Sequence, residues 1–153
     1  MSGLYVLDSC AVMVLLKGKS VGRYIDRTYR LRERRTPAAI SVVTHGELLV
    51  LALRNGWGLD RRRALDSALR DLVTLDINHE AVIAAYADIE LYSQSLPKGA
   101  RNMGKNDLWI AACAKASGAT LITLDKDFNH LADELLKVEY VDPAGKYEDA
   151  PDR

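Results

Sequence analysis

The sequence predicts an α/β fold in which helices pack on a parallel sheet. Short apolar runs rich in β-branched residues recur along the chain, segments with helical spacing lie between them, and cap and turn residues mark the joins. Helices between strands imply crossover connections, and crossovers make neighbouring strands parallel. The 153 residues, 48% hydrophobic and 27% charged, suffice for one domain with a substantial core.

Residues 4–7 form an apolar run ending at Asp8, the pattern of a buried strand. Residues 11–16 suit a short helix stopped by Lys17-Gly18. A second helix is expected over 21–35, broken at Thr36-Pro37 because proline disfavours helix at its predecessor. Residues 39–43 are the second strand. A helix over 44–55 follows, with Thr44 and Glu47 in capping-box spacing and Gly56 as the stop. Asp60 is the expected N-cap of a helix running to about residue 71. Residues 72–77 form the third strand, 80–95 an amphipathic helix closed by Pro97 and Gly99, and 106–117 a further helix with Gly118 as its left-handed cap. Residues 120–124 are the fourth strand, 128–131 a helical turn and 138–141 a fifth strand. The domain is expected over residues 1–141, with 142–153 as a polar, loose tail.

Formal net charge is zero, from 21 basic and 21 acidic residues, so the chain as a whole exerts no electrostatic pull on nucleic acid. Binding of that kind needs a local patch, and three basic clusters are available: Arg30, Arg32, Arg34 and Arg35; Arg61, Arg62 and Arg63; and Lys98, Arg101 and Lys105. Taken singly, each also fits a solvated face. Cys10 and Cys113 are far apart in sequence and form no CxxC pair, which points to a reducing, cytoplasmic setting. Asp8 interrupts the first apolar run, no basic region precedes it, and no apolar stretch reaches the ~18 residues of a membrane span, so neither a leader nor a membrane role is expected.

Ligands of open α/β sheets gather beyond the carboxyl ends of the strands. Four acids fall there. Asp8 follows the first strand, Glu47 lies one turn into the helix after the second, Asp107 opens the helix leading to the fourth, and Asp125 follows the fourth, with Asp127 two residues on. Packed carboxylates repel unless protonated or neutralised by a cation. Oxygen-only ligands suit Mg²⁺ or Mn²⁺, which lower the pKa of bound water and clamp phosphate oxygens. Each acid taken alone also fits a helix cap, a dipole contact or a turn. It is their joint placement that favours a metal site.

Other motifs fail on inspection. Gly18-Lys19-Ser20 lacks the earlier glycine of a P-loop, since position 13 is Met13. Asp125-Lys126-Asp127-Phe128-Asn129 opens like a calcium loop, but the required glycine is His130 and the closing glutamate is Leu136. His79 and His130 have no metal-ligand spacing and are expected in ordinary surface roles.

Four segments resemble the PIN-domain nucleases, most closely the VapC-type toxins of toxin–antitoxin pairs: Tyr5-Val6-Leu7-Asp8-Ser9; Ile40-Ser41-Val42-Val43-Thr44-His45-Gly46-Glu47-Leu48-Leu49; Asn106-Asp107-Leu108-Trp109-Ile110-Ala111-Ala112; and Leu121-Ile122-Thr123-Leu124-Asp125-Lys126-Asp127-Phe128. The resemblance implies a three-layer α/β/α sandwich with a five-stranded parallel sheet. It implies endonucleolytic RNA cleavage dependent on Mg²⁺ or Mn²⁺. By motif, Asp8, Glu47, Asp107 and Asp125 fall on the metal-binding, catalytic acids. Ser9 and Thr123 fall on supporting hydroxyls, and Asn106 and Asp127 on further supporting positions. A small antitoxin that blocks the acidic site and a homodimer are also implied. Cys10 stands where the family often has Asn, and His45 where an apolar residue is usual; neither removes a carboxylate. A catalytically silent PIN-like binding module, a housekeeping RNA-processing nuclease and a phosphotransfer receiver or phosphatase are the alternatives weighed. The receiver fits poorly because Glu47 sits inside a helix.

Overall fold

In a computed structural model, residues 3–33, 35 and 37–147 are described. The chain runs β1 (Tyr5–Leu7), α1 (Ser9–Lys17), α2 (Ser20–Thr28), β2 (Ala39–Ser41), α3 (Val42–Arg54), α4 (Leu59–Arg70), β3 (Val73–Leu75), α5 (Glu80–Gln94), α6 (Lys105–Ser117), β4 (Thr120–Thr123), a 3-10 turn (Lys126–Leu131) and β5 (Lys137–Tyr140). The five strands form one sheet in the order β3-β2-β1-β4-β5, and every pair is parallel. Among the described residues no helix is long and apolar enough to cross a membrane.

The pleat sorts the strand residues into two cores, since successive side chains face opposite sides. Val6, Ala39 and Leu121 pack with α5, α6 and the 3-10 turn through Val82, Ile89, Ile110 and Phe128. Leu7, Ile40 and Ile122, one residue further along each strand, pack with α1 to α4 through Val12, Ile25, Leu48 and Leu65. Two separate apolar clusters on the two faces of one sheet make a three-layer α/β/α sandwich. On the second face, α1 and α2 approach so closely that a Cβ on Gly22 would stand 2.0 Å from the Val14 carbonyl oxygen.

Strand order places a switch point at the centre. From β1 the chain builds outward through β2 and β3, then returns across the sheet to add β4 and β5 on the other side. The loops after β1 and β4 therefore diverge and leave a crevice at the carboxyl edge. Register makes the crevice specific. Leu7 pairs with Ile122, so Asp8 stands level with Thr123, and the Asp8 amide donates to the Ile122 carbonyl at 3.3 Å.

Several expected boundaries move. The second strand stops at Ser41, not at residue 43, because the Ser41 hydroxyl caps α3 by accepting from the Val43 amide at 3.1 Å. Thr44 therefore lies inside the helix, buried, its Oγ1 without a hydrogen-bond partner among the described residues, and the capping box with Glu47 does not form. The helix expected over 21–35 ends at Thr28. Arg30 takes a left-handed conformation (φ 52°), and Leu31 and Arg30 donate back to the Asp26 and Arg27 carbonyls, a Schellman closure. Gly58, not Asp60, is the N-cap of α4, and Asp60 sits in its first turn. Gly118 caps α6 in the left-handed region (φ 66°), as its position predicts. Residues 142–147 pack back on the domain: the Tyr147 ring stacks on Tyr24 at 4.1 Å and its hydroxyl donates to the Asp142 carbonyl. Arg34, the Thr36 helix break and tail residues 148–153 lie outside the described residues.

Candidate metal centre

Asp8 is the N-cap of α1, and both of its oxygens have partners. Oδ1 accepts from the Ala11 amide at 2.8 Å, and Oδ2 accepts a short hydrogen bond from the Thr123 hydroxyl. The carboxyl is only 4% exposed, and burial pushes its pKa up to about 6. Its two hydrogen bonds pull the other way, and the charges of Asp125 and Glu47 add to the rise. Thr123 is itself fully buried at the end of β4, and its Oγ1 accepts from the Asp125 amide at 2.9 Å. One hydroxyl thus fixes Asp8 and the backbone of Asp125 together.

Asp125 caps the 3-10 turn, its Oδ1 accepting from the Asp127 amide at 2.9 Å. That turn brings the Asp127 carboxylate round to Asp125. Asp107 stands in the first turn of α6. One oxygen from each of Asp107, Asp125 and Asp127 lies within 4.8 Å of the other two. Burial raises Asp107 to about 6, helped in turn by the charges of Asp125, Glu47, Asp8 and Asp127. Glu47 reaches in from the second turn of α3, held by the Ser9 hydroxyl, which donates to its Oε1 at 2.8 Å. Asn106 is exposed beside Glu47 and Ser9 on the wall of the neighbouring groove.

The structure therefore gathers all four acids singled out from sequence, with Ser9 and Thr123 as their hydrogen-bond donors. The compact trio is not the quartet, however. It includes Asp127, ranked as a supporting residue by motif, while Asp8 and Glu47 act on it from one step away. The signal was present in the sequence, because an acid two residues after an N-cap aspartate lands in the first turn that the aspartate caps. Of the two histidines, His79 has the surface role expected of it and His130 does not. His79 is the N-cap of α5, its Nδ1 accepting from the Ala81 amide at 3.1 Å. His130 is half-buried, its Nε2 2.8 Å from the hydroxyl of the fully buried Ser93.

Cys10 is exposed at the lip of the crevice. Burial first, then the charges of Asp8, Asp125, Asp107 and Glu47, push its thiol up to about 11. It stays protonated near neutrality and is a poor nucleophile. The chemistry on offer is thus a bed of carboxylate oxygens. Oxygen donors without imidazole or thiolate fit a hard divalent cation, and the values of Asp8 and Asp107, raised first by burial and then by neighbouring carboxylates, leave both acids without a neutralising partner charge among the causes of the shift.

Comparison with known proteins places the fold. The PIN domain profile matches residues 5–134, and the chain belongs to the PIN domain family. Among solved structures, VapBC2 from Rickettsia felis, bound to a DNA fragment from its promoter, is similar with a TM-score of 0.75 and 26% identity over 91% of this chain and 99% of that one. VapBC-5 from Mycobacterium tuberculosis, a member of the VapBC family of toxin–antitoxin systems, gives 0.59 and 25% over 92% and 98%. FitAcB from Neisseria gonorrhoeae, at 22% identity over 88% and 96%, shares the fold with a TM-score of 0.67. No curated protein sequence matches.

Proposed function

We propose that this protein is a metal-dependent endoribonuclease and the toxin of a type II toxin–antitoxin pair, acting in the cytoplasm. The observation that carries this reading is the meeting of Asp107, Asp125 and Asp127 at the sheet's switch point, backed by Asp8 and Glu47. Asp107, Asp125 and Asp127 would hold Mg²⁺ or Mn²⁺, with Asp8 and Glu47 completing the negative field. A divalent ion bound there supplies an activated water and neutralises charge building on a phosphate. Thr123 keeps Asp8 and Asp125 in register, and Ser9 keeps Glu47 turned inward. Glu47 would accept a proton from the attacking water. Water is then the nucleophile, consistent with the inert Cys10 thiol.

An antitoxin has a place to lie. Beside the carboxylates runs a groove of about 1000 Å³ between α1 and α3, lined by Met13, Val14, Val43, Val50 and Leu51, with Glu47 and Asn106 at its head. Its apolar floor suits an amphipathic segment whose basic end reaches the acids. The structural relative from Mycobacterium tuberculosis is a member of a toxin–antitoxin family by name, which supports such a partner. A homodimer belongs to the same proposal and is checked by light scattering.

The test is RNA 5′-end sequencing after brief induction of the wild type and of Asp107→Asn, paired with cleavage of a labelled RNA with Mg²⁺ and with EDTA. New 5′ ends confined to the wild type, and cleavage lost to EDTA, are expected. Equal cleavage by both proteins, or none by either, overturns the proposal.

A further inference from the structure

The acidic centre raises a problem for an RNA enzyme. Its carboxylates repel the very backbone they are proposed to cut, and the chain carries no net positive charge to compensate. Attraction has to come from a local cation group near the crevice. The three basic clusters separate on this point. In the first, Arg32 is tied to Asp26 at 2.7 Å and Arg30 lies 3.9 Å from Glu33. In the second, Arg61 stacks over the Trp57 ring at 4.7 Å, on α4. In the third, Lys98 and Arg101 lie on the loop between α5 and α6 that leads to Asp107, and Lys105 opens α6 itself. Among the described residues no carboxylate is paired with Lys98 or Arg101.

That loop is built rather than slack. The Gly99 amide closes a turn onto the Leu96 carbonyl at 3.1 Å, and the Arg101 amide donates to the Ser93 carbonyl at 2.8 Å. The Gln94 side chain donates to the Asn102 side chain at 2.9 Å. Ser93, fully buried, also meets His130 Nε2, which pins the loop to the 3-10 turn. The result is an open pocket of about 540 Å³ lined by Leu96, Pro97, Lys98, Gly99, Arg101 and His130. His130 feels the charges of both Arg101 and Asp127, and both walls of the pocket lead along the chain to the acidic centre. His130 stands three residues after Asp127 on one 3-10 turn, where side chains three apart eclipse and the rise is about 6 Å. Arg101 stands six residues before Asp107.

We propose that the Lys98–Arg101 loop and His130 form a phosphate-gripping pocket that holds the RNA backbone one or two nucleotides away from the acidic centre. Lys98 and Arg101 supply the charge, with Arg101 able to offer a bidentate fork, and the ordered loop keeps them extended toward the ligand. The pocket offsets the repulsion at the centre and sets which phosphate is presented to it. It makes no base contacts, so its contribution is to affinity and register, not to base choice.

This inference rests on the nuclease reading, and the experiment separates the two. A short fluorescein-labelled single-stranded RNA is bound to the Asp107→Asn protein, and the affinity is followed by anisotropy between about 50 and 200 mM salt. Lys98→Gln/Arg101→Gln is added in that background. Two lost phosphate contacts make the log–log salt slope shallower by about 1.4, with binding at the lower salt weakened about tenfold or more. The control removes equal charge from the amino edge of the sheet, Arg70→Gln/Lys137→Gln, and leaves the slope in place. In the cutting-competent protein the loop variant raises KM, while kcat changes little. An unchanged slope and KM, or an equal change in the amino-edge control, overturns the pocket while leaving the nuclease standing. Absence of metal-dependent cleavage in the wild type fails the nuclease reading alone, since the salt slope is measured without turnover.

Discussion

The Thr123 hydroxyl donates to Asp8 across 115 residues of chain while accepting the amide of Asp125. It is the hinge pin between the two central strands at the point where the acids gather. Thr123→Val keeps shape and burial but removes the donor. Because this hydrogen bond lowers the Asp8 value against the effect of burial, its loss drives Asp8 further toward the protonated form. Mg²⁺ titration of RNA cleavage is expected to show metal affinity or activity reduced about 10- to 100-fold, with the fold retained by circular dichroism.

Asp107→Asn removes a member of the compact trio. Cleavage is expected to fall by about 10³-fold, as several kcal/mol of charge stabilisation are lost with the ion. The same change relieves repulsion among the remaining acids, so the metal-free variant is expected to melt no lower than the wild type near neutral pH. Calorimetry beside the cleavage assay separates a chemical role from a structural one.

Stability should depend on pH in a direction opposite to that of a salt-bridged acid. Asp8 and Asp107 titrate at about 6 in the fold against an ordinary 3.8, so the folded state binds their protons more tightly than the unfolded state does. Metal-free protein therefore gains stability as pH falls from about 6 toward about 4 and loses it as pH rises through the same window. Mg²⁺ competes with those protons. Its stabilisation, read as a shift in Tm, is expected to be at least roughly twice as large at about pH 7.5 as at about pH 5.

Gly22→Ala places a methyl carbon against the Val14 carbonyl oxygen, where only 2.0 Å is available. The α1–α2 crossing has to open, at a cost of about 1–3 kcal/mol or more. Urea denaturation should show a lowered midpoint with an unchanged slope. Activity per folded molecule should persist, because neither helix partner at this crossing carries an acid of the trio.

Fold class was legible in the sequence because strand-sized apolar runs and helical segments alternate; four of the five strands fall within a run so identified, and β5 starts one residue before its run, at Lys137. The boundaries were less so where two cap signals compete. Ser41 and Thr44 both qualify as N-caps, and the hydroxyl that ends the strand pairing takes the role. Arg30 in a left-handed conformation left no trace in residue type, since glycine or asparagine is the usual signal there. Among site residues, Asp8, Glu47, Asp107 and Asp125 stood out by position relative to strand ends. The closeness of Asp127 to Asp107 and Asp125 was not legible, because the 3-10 turn that carries it starts two residues earlier than the apolar pattern suggests. The pocket at Lys98 and Arg101 needed coordinates, because its link to His130 runs through Ser93, a residue with no chemical signature of its own.

For the toxin proposed above, the placement of β4 between β1 and β5 bears on when the chain would become harmful to the cell that makes it. A chain emerging from the ribosome carries Asp8 and Glu47 early, but the hydroxyl and the paired acids that complete their surroundings arrive only with residues 123–127. Truncated or stalled products ending before that point hold no assembled centre. In the proposed pair, harm would thereby be deferred until residues 123–127 have been made and folded, which would give a co-expressed neutralising partner time to be present when the sheet closes.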